Sequence, residues 1–333
     1  MIEQIEIKDE PEEVDYSLML EECTMDLDEH VPEPDVIIYY GFDDKGKEVS
    51  LLTRGEFSAI VAQSKTKKSF NKSLIEAAFM GGNTNNYTNH IRSGATKNKG
   101  WLISIDTEQG KYYAHNTFKR TERLAGYRYD KYKPIQTRAK TVEERIALID
   151  YIVFESEYAG NIDLLVIDGV ADLVYNTNDI ETSTRVASKM LQWTSIGNLH
   201  LMTVIHKTGS SDKARGHLGT SVQIKTEAII LMDSLTDEQG QFIKNAQGFP
   251  ERNTVKVRCG MSRGKPFEEF YLRIDSDGLP FTFDDVDNPK HPKQEFNDVC
   301  ESKPLPMGTT AEAFQIEQDK EFDEMFPPDE VPF

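Results

Sequence analysis

Residues 54–80, RGEFSAIVAQSKTKKSFNKSLIEAAFM, limit the possible folds more than any other stretch of the chain. Phe57–Val61 is a short apolar run of strand type. It breaks into the polar Ala62-Gln63-Ser64-Lys65-Thr66, and from Lys67 apolar Phe70, Leu74, Ala77 and Ala78 recur three and four apart on one helical face. A buried strand, a short polar loop and a helix opening from it make the frame of a phosphate-binding loop, with amide groups and the helix dipole aimed at an anion. On this reading Ala62, Gln63, Ser64, Lys65, Thr66, Lys67, Lys68, Ser69 and Phe70 cradle the phosphates. Lys68 reaches the terminal phosphates and the Ser69 hydroxyl ligates Mg²⁺. Two glycines of such a loop are replaced, by Ala62 and by Lys67, and Lys67 stands where backbone must approach the phosphate closely. Taken alone, the stretch reads equally as an ordinary strand–loop–helix.

Four further apolar runs follow, and helical patterns separate most of them. Trp101–Ile105, Ile162–Ile167, His200–Ile205 and Glu227–Leu231 read as strands, with Lys133–Thr137 a further candidate. Helices are expected around 111–124, 142–158 and 179–196. Val36–Tyr40 and Val49–Thr53 flank a Gly-Asp hairpin signal, and Thr254–Arg258 with Glu269–Ile274 forms a closing hairpin. Gly81–Lys99, rich in Asn, Thr and Gly, is expected to be a mobile loop. Alternating strands and helices predict an α/β fold, a mostly parallel sheet flanked by helices and closed by an antiparallel hairpin.

The net charge of −19 is unevenly spread. Residues 1–50 hold 3 Lys/Arg against 17 Asp/Glu, and residues 281–333 hold 4 against 14. The remaining 31 basic and 26 acidic residues leave 51–280 at +5, a mildly basic core between acidic tails that permits a polyanionic partner. A disordered leader is expected over 1–35, with a short helical turn at Tyr16–Leu20, a core over 36–280, and an acidic tail over 281–333 with a helix near Ala311–Gln318. No apolar run approaches the ~20 residues of a membrane span. Cys23, Cys259 and Cys300 lie far apart without metal or redox spacing, which predicts a reducing cytoplasm and no zinc site.

In a sheet of this kind ligands bind at the carboxyl ends of the strands, so residues just beyond each apolar run carry the chemistry. Those residues are Lys68 and Ser69, then Asp106 and Glu108, then Asp168, then His206. Asp168 suits Mg²⁺, Glu108 an attacking water, and His206 a γ-phosphate contact. Each alone reads as a solvated strand end; their shared edge makes a nucleotide hydrolase.

The ordered series resembles the RecA-type ATPase core, most closely the hexameric replicative helicases of the DnaB and plasmid RepA kind, over about residues 36–280. IDTE at Ile105–Glu108 resembles the strand bearing the family's catalytic glutamate, and LLVIDG at Leu164–Gly169 its Walker B strand. VIHK at Val204–Lys207 resembles its sensor position. VKVRCG at Val255–Gly260 resembles the strand that offers a basic pair to a neighbouring subunit's ATP, which implies trans roles for Lys256 and Arg258. Ala214–Met232 resembles ATPases of phages and mobile elements. His206–Thr220 occupies the place of the family's DNA-contacting loop, with Lys207, Lys213, Arg215 and His217 as candidate phosphate contacts. That segment reads equally as an active-site lid, and it lacks an aromatic for base stacking.

The chain's last residues, from Asp329 to Phe333, are similar to the acidic tip of bacterial single-stranded DNA-binding proteins, which implies docking on a replication partner; a solubilising tail is the alternative. The whole implies an ATP- and Mg²⁺-dependent DNA motor, a hexameric ring on single-stranded DNA in a bacterial cytoplasm, serving a phage, plasmid or mobile element. The alternatives are a filament-forming recombination or annealing ATPase and a nucleotide-binding regulatory module without turnover.

Overall fold

A computed structural model describes residues 15–292 apart from 95–98, 209–210, 238, 245–247, 249 and 287–288. The chain divides into two units at Glu33/Pro34. The first holds helix α1 (Tyr16–Cys23), capped by the Asp15 carboxylate on the amides of Ser17 and Leu18 and burying no side chain. It is a full helix where the sequence predicts one turn. The expected helix at 311–318 and the Asp329–Phe333 tip lie outside the described residues.

The second unit is built on a nine-stranded mixed sheet of order β12-β11-β10-β9-β3-β8-β7-β5-β6. Its strands are β3 (Phe57–Ala62), β5 (Trp101–Asp106), β6 (Tyr132–Gln136), β7 (Ile162–Asp168), β8 (His200–His206), β9 (Ala228–Ser234), β10 (Thr254–Ser262), β11 (Phe270–Ile274) and β12 (Pro280–Phe283). From β9 to β6 neighbouring strands run parallel, and β10, β11 and β12 add antiparallel to the β9 edge. The expected α/β architecture is present. The last strand carries the sheet to Phe283, beyond the predicted boundary at 280.

Helices α2 (Lys68–Met80), α3 (Lys111–Ala125), α4 (Val142–Phe154), α5 (Ile180–Gly197) and α6 (Gly216–Lys225) connect the strands. Strand β3 shows why the sheet is buried on both faces: Phe57, Ala59 and Val61 join one apolar cluster, Ile60 and Ala62 the other. The period of two in a strand sends successive side chains to opposite layers. α2 and the end of α3 pack on the Ile60 side; α4, α5 and α6 cover the other.

The expected hairpin, β1 (Val36–Phe42) with β2 (Glu48–Thr53), is present in a separate three-stranded sheet completed by β4 (Ile91–Ser93), and two expectations are corrected. The predicted loop 81–99 therefore contains a strand, preceded by a 3-10 turn over Gly82–Asn86. The predicted loop 206–220 ends early, because α6 begins at Gly216. Ala214 is buried against it and a Gly219 side chain would collide with Ala214, so packing that no local pattern announces makes this helix.

Candidate functional site

The ends of β3, β8, β7 and β5 open on a cleft of about 500 Å³ lined by Ser64–Phe70, Glu108, Gln109, Asp168, Gly169, Asp172 and His206. Strand register causes the convergence: Ala62 pairs with His206, and Asp106 with Asp168. The residues that follow these positions must share one edge.

The loop from β3 to α2 holds two lysines in left-handed backbone, Lys65 at φ 66° and Lys67 at φ 61°. Lys67 is the residue before α2 and occupies the region that glycine adopts freely. The fold therefore keeps the glycine conformation without the glycine. The Thr66 hydroxyl donates to the Gln63 carbonyl. Lys68 Nζ donates to Gln63 O at 2.8 Å and lies 3.2 Å from His206 Nδ1. An ammonium only donates, so Nδ1 accepts, and the neutral ring carries its proton on Nε2. Burial lowers the pKa of Lys68 and of His206, and for His206 the charges of Lys68 and Arg215 push the same way.

Glu108 faces this lysine across the cleft. Burial, then the carboxylates of Asp172 and Asp168, raise its pKa, and Lys68 opposes them. Asp106 does not join the cleft: its carboxylate accepts from the amides of Glu108 and Gln109 and from Gln109 Nε2. It shapes the turn that presents Glu108. Asp168 turns Oδ2 inward to the ammonium of Lys72, 3.1 Å away and fully buried. The pair is ionic rather than well-directed, since neither atom completes a hydrogen bond. Lys72 also lies 4.0 Å from Glu76, whose carboxylate accepts from Ser104 and Thr121.

Several of these residues escaped sequence reasoning. Lys72 sits one turn beyond Lys68 on the same helical face, a spacing that marks it only in retrospect. Arg120 stacks 3.8 Å from the Phe70 ring centre and donates to Ser73 Oγ and Ser69 O, and burial brings its guanidinium down to about 10. Lys67 lies over the same ring at 5.9 Å. Asp172 accepts from Thr107 Oγ1, which also donates to the Asp168 carbonyl. Gly169, at φ 105°, leaves room for that threonine.

Other candidates lie away from the cleft. Lys256 pairs with Glu269 at 3.0 Å. Arg258 donates to Asp233 Oδ2 at 2.7 Å and to Asp212 Oδ1 at 2.6 Å. Lys207 bridges the same two carboxylates at 2.7 and 2.9 Å, which closes a ring of alternating charges and holds Asp212 down at about 2. The Lys207 side chain is only 5% exposed, so of the four expected phosphate contacts it is not a surface cation. Lys213, Arg215 and His217 are exposed, with His217 on α6 rather than in a loop. Among the described residues no group of three or more His, Cys, Asp or Glu could hold a metal ion, and no helix is long and apolar enough to cross a membrane.

Fold and cleft together define an α/β protein whose lysine-rich strand–loop–helix faces three carboxylates and an imidazole. No family model matches the chain, and no curated protein matches it.

Proposed function

We propose that this chain is a RecA-like ATPase that drives a nucleic-acid motor, working as a ring on single-stranded DNA. One observation carries the reading: consecutive strand ends deliver Lys68 with Ser69, Glu108, Asp168 and His206 to a single cleft. Positioning and electrostatics are most of what phosphoryl transfer asks of a protein. Lys68 exchanges the Gln63 carbonyl for a phosphate oxygen, and the loop amides at the start of α2 cradle the rest. Glu108, with its pKa raised toward neutrality, accepts a proton from water. His206 donates from Nε2 to the terminal phosphate.

The donor set fits Mg²⁺. Asp168 and Ser69 bring a carboxylate and a hydroxyl to the cleft lining, hard oxygen donors of the kind that Mg²⁺ takes. Asp168 and Ser69 would hold the ion, which when bound neutralises phosphate charge. One protein carboxylate with substrate phosphates suffices for Mg²⁺, so a three-residue cluster is not required.

Arg258 does not line its own chain's cleft, in keeping with service to a neighbour's nucleotide. The test is Mg²⁺-dependent ATP hydrolysis with and without single-stranded DNA, alongside electron micrographs of the assembly. Rings with DNA-stimulated turnover are expected; ATP bound without turnover overturns the motor. A regulatory nucleotide-binding module is the second reading, favoured by Lys67 in the place of glycine, and the same assay separates the two.

A further inference from the structure

The positive charge of the core is concentrated in one segment. Residues 110–140 hold nine Lys/Arg and two Asp/Glu, a net +7; the rest of 51–280 holds 22 and 24, a net −2. The same segment carries six aromatic residues. It comprises α3 and the edge strand β6.

Its exposed part has a definite arrangement. α3 opens with Lys111, Tyr112 and Tyr113, and the two tyrosines, 65% and 67% exposed, meet edge to face with ring centres 5.4 Å apart. His115 follows one turn after Lys111, also exposed. The end of β6 comes alongside: Gln136 Nε2 donates to the Gln109 carbonyl at 2.8 Å. Arg138 Nη1 stands 3.1 Å from where a Gly110 Cβ would be. Lys111 is a cation in the first turn of a helix that has no acidic residue there and no side-chain cap, against the helix dipole. A polyanion relieves that repulsion. No acidic side chain pairs with Lys111 or Arg138 among the described residues.

Resting on the motor reading, we propose that this face, with Tyr112 and Tyr113 stacking on bases and Lys111 and Arg138 on phosphates, is the main binding surface for single-stranded nucleic acid. The alternative segment, 206–220, contains no aromatic residue, and Lys207 there is held inside its ring of charges. Exposed aromatics beside cations are what a single strand with unstacked bases requires. Glu108 lies two residues before the start of the α3 segment, so a bound strand would sit next to the hydrolytic edge.

Binding of a fluorescent oligothymidylate to the full chain, followed by anisotropy over a salt series, tests this. Tyr112→Ala with Tyr113→Ala should weaken binding about tenfold or more and leave the salt dependence unchanged. Lys111→Ala with Arg138→Ala should flatten the slope of log K against log salt by about 1.4, two phosphate contacts on a single strand. Lys213→Ala with Arg215→Ala should keep most of the affinity. These side chains are exposed, so unchanged thermal unfolding is expected for every variant. Wild-type affinity in both α3 variants, with loss in the Lys213/Arg215 pair, overturns the inference but leaves the motor standing. Equal displacement of the oligonucleotide by polyglutamate makes the face an acidic-peptide site and also overturns it. A wild-type chain that binds no oligonucleotide at any salt overturns both readings.

Discussion

Lys67 holds a backbone conformation that a lysine adopts only at a cost. Its φ of 61° lies in the left-handed region, where Cβ crowds the following carbonyl. Lys67→Gly should therefore stabilise the fold by about 1 kcal/mol, read from urea unfolding, without loss of nucleotide binding. An unchanged or lowered midpoint would mean that Lys67 recovers the cost through Phe70, over which its ammonium lies. Glu108 is the second position where one atom decides. Glu108→Gln keeps size and hydrogen bonding and removes the proton acceptor, so nucleotide affinity should hold while turnover falls ~10²-fold or more. Its pKa is raised by burial and by two neighbouring carboxylates, and in the proposed role of base it would work only when ionised. Wild-type turnover should thus begin to fall, as pH is lowered, at a higher pH than an ordinary glutamate would give.

At the scale of elements, Glu227 joins the end of β2 to the start of β9. Its carboxylate accepts from the Thr53 amide and hydroxyl, and burial first of all raises it from 4.5 to about 6. Beside it His200, wholly buried, bonds Ser58 and the Thr53 carbonyl and is pushed down to about 4, so it stays neutral there. Because the folded pKa of Glu227 lies above the unfolded one, the folded state holds that proton more tightly. The contribution is full below pH 4.5 and is lost as pH rises through 6. Glu227→Gln should remove this contribution and leave the opposite one of His200, so relative to wild type the variant should gain up to about 2 kcal/mol across that window in a urea series. A parallel pH dependence in both proteins would remove Glu227 as its source.

For the whole molecule, the decisive geometry is that Arg258 lies outside its own cleft, held by Asp212 and Asp233. A shared site between copies predicts that Arg258→Ala binds ATP normally, fails to hydrolyse it, and poisons wild-type subunits in mixed assemblies. Inhibition no deeper than dilution would argue for a self-contained site.

Much of the frame was legible before any coordinates. The strand runs Phe57–Val61, Ile162–Ile167 and His200–Ile205 are continuous and apolar because they are buried on both faces, and that is a local property of the chain. With them came the placement of Lys68, Glu108, Asp168 and His206 at one sheet edge, since strand direction alone sets which end a residue occupies; their order along it follows the strand order β3-β8-β7-β5, which only the fold supplies. Tertiary structure decided the rest. That β1 and β2 leave the main sheet for a partner in 91–93 depends on a pairing across half a hundred residues. That Asp106 serves a turn while Asp168 meets a buried Lys72 depends on which carboxylate a neighbouring helix reaches. Periodicity reports how a residue faces its own element; the partner of a charge is set by elements distant in sequence, and for Lys72, Lys207 and Arg258 only the folded chain names it.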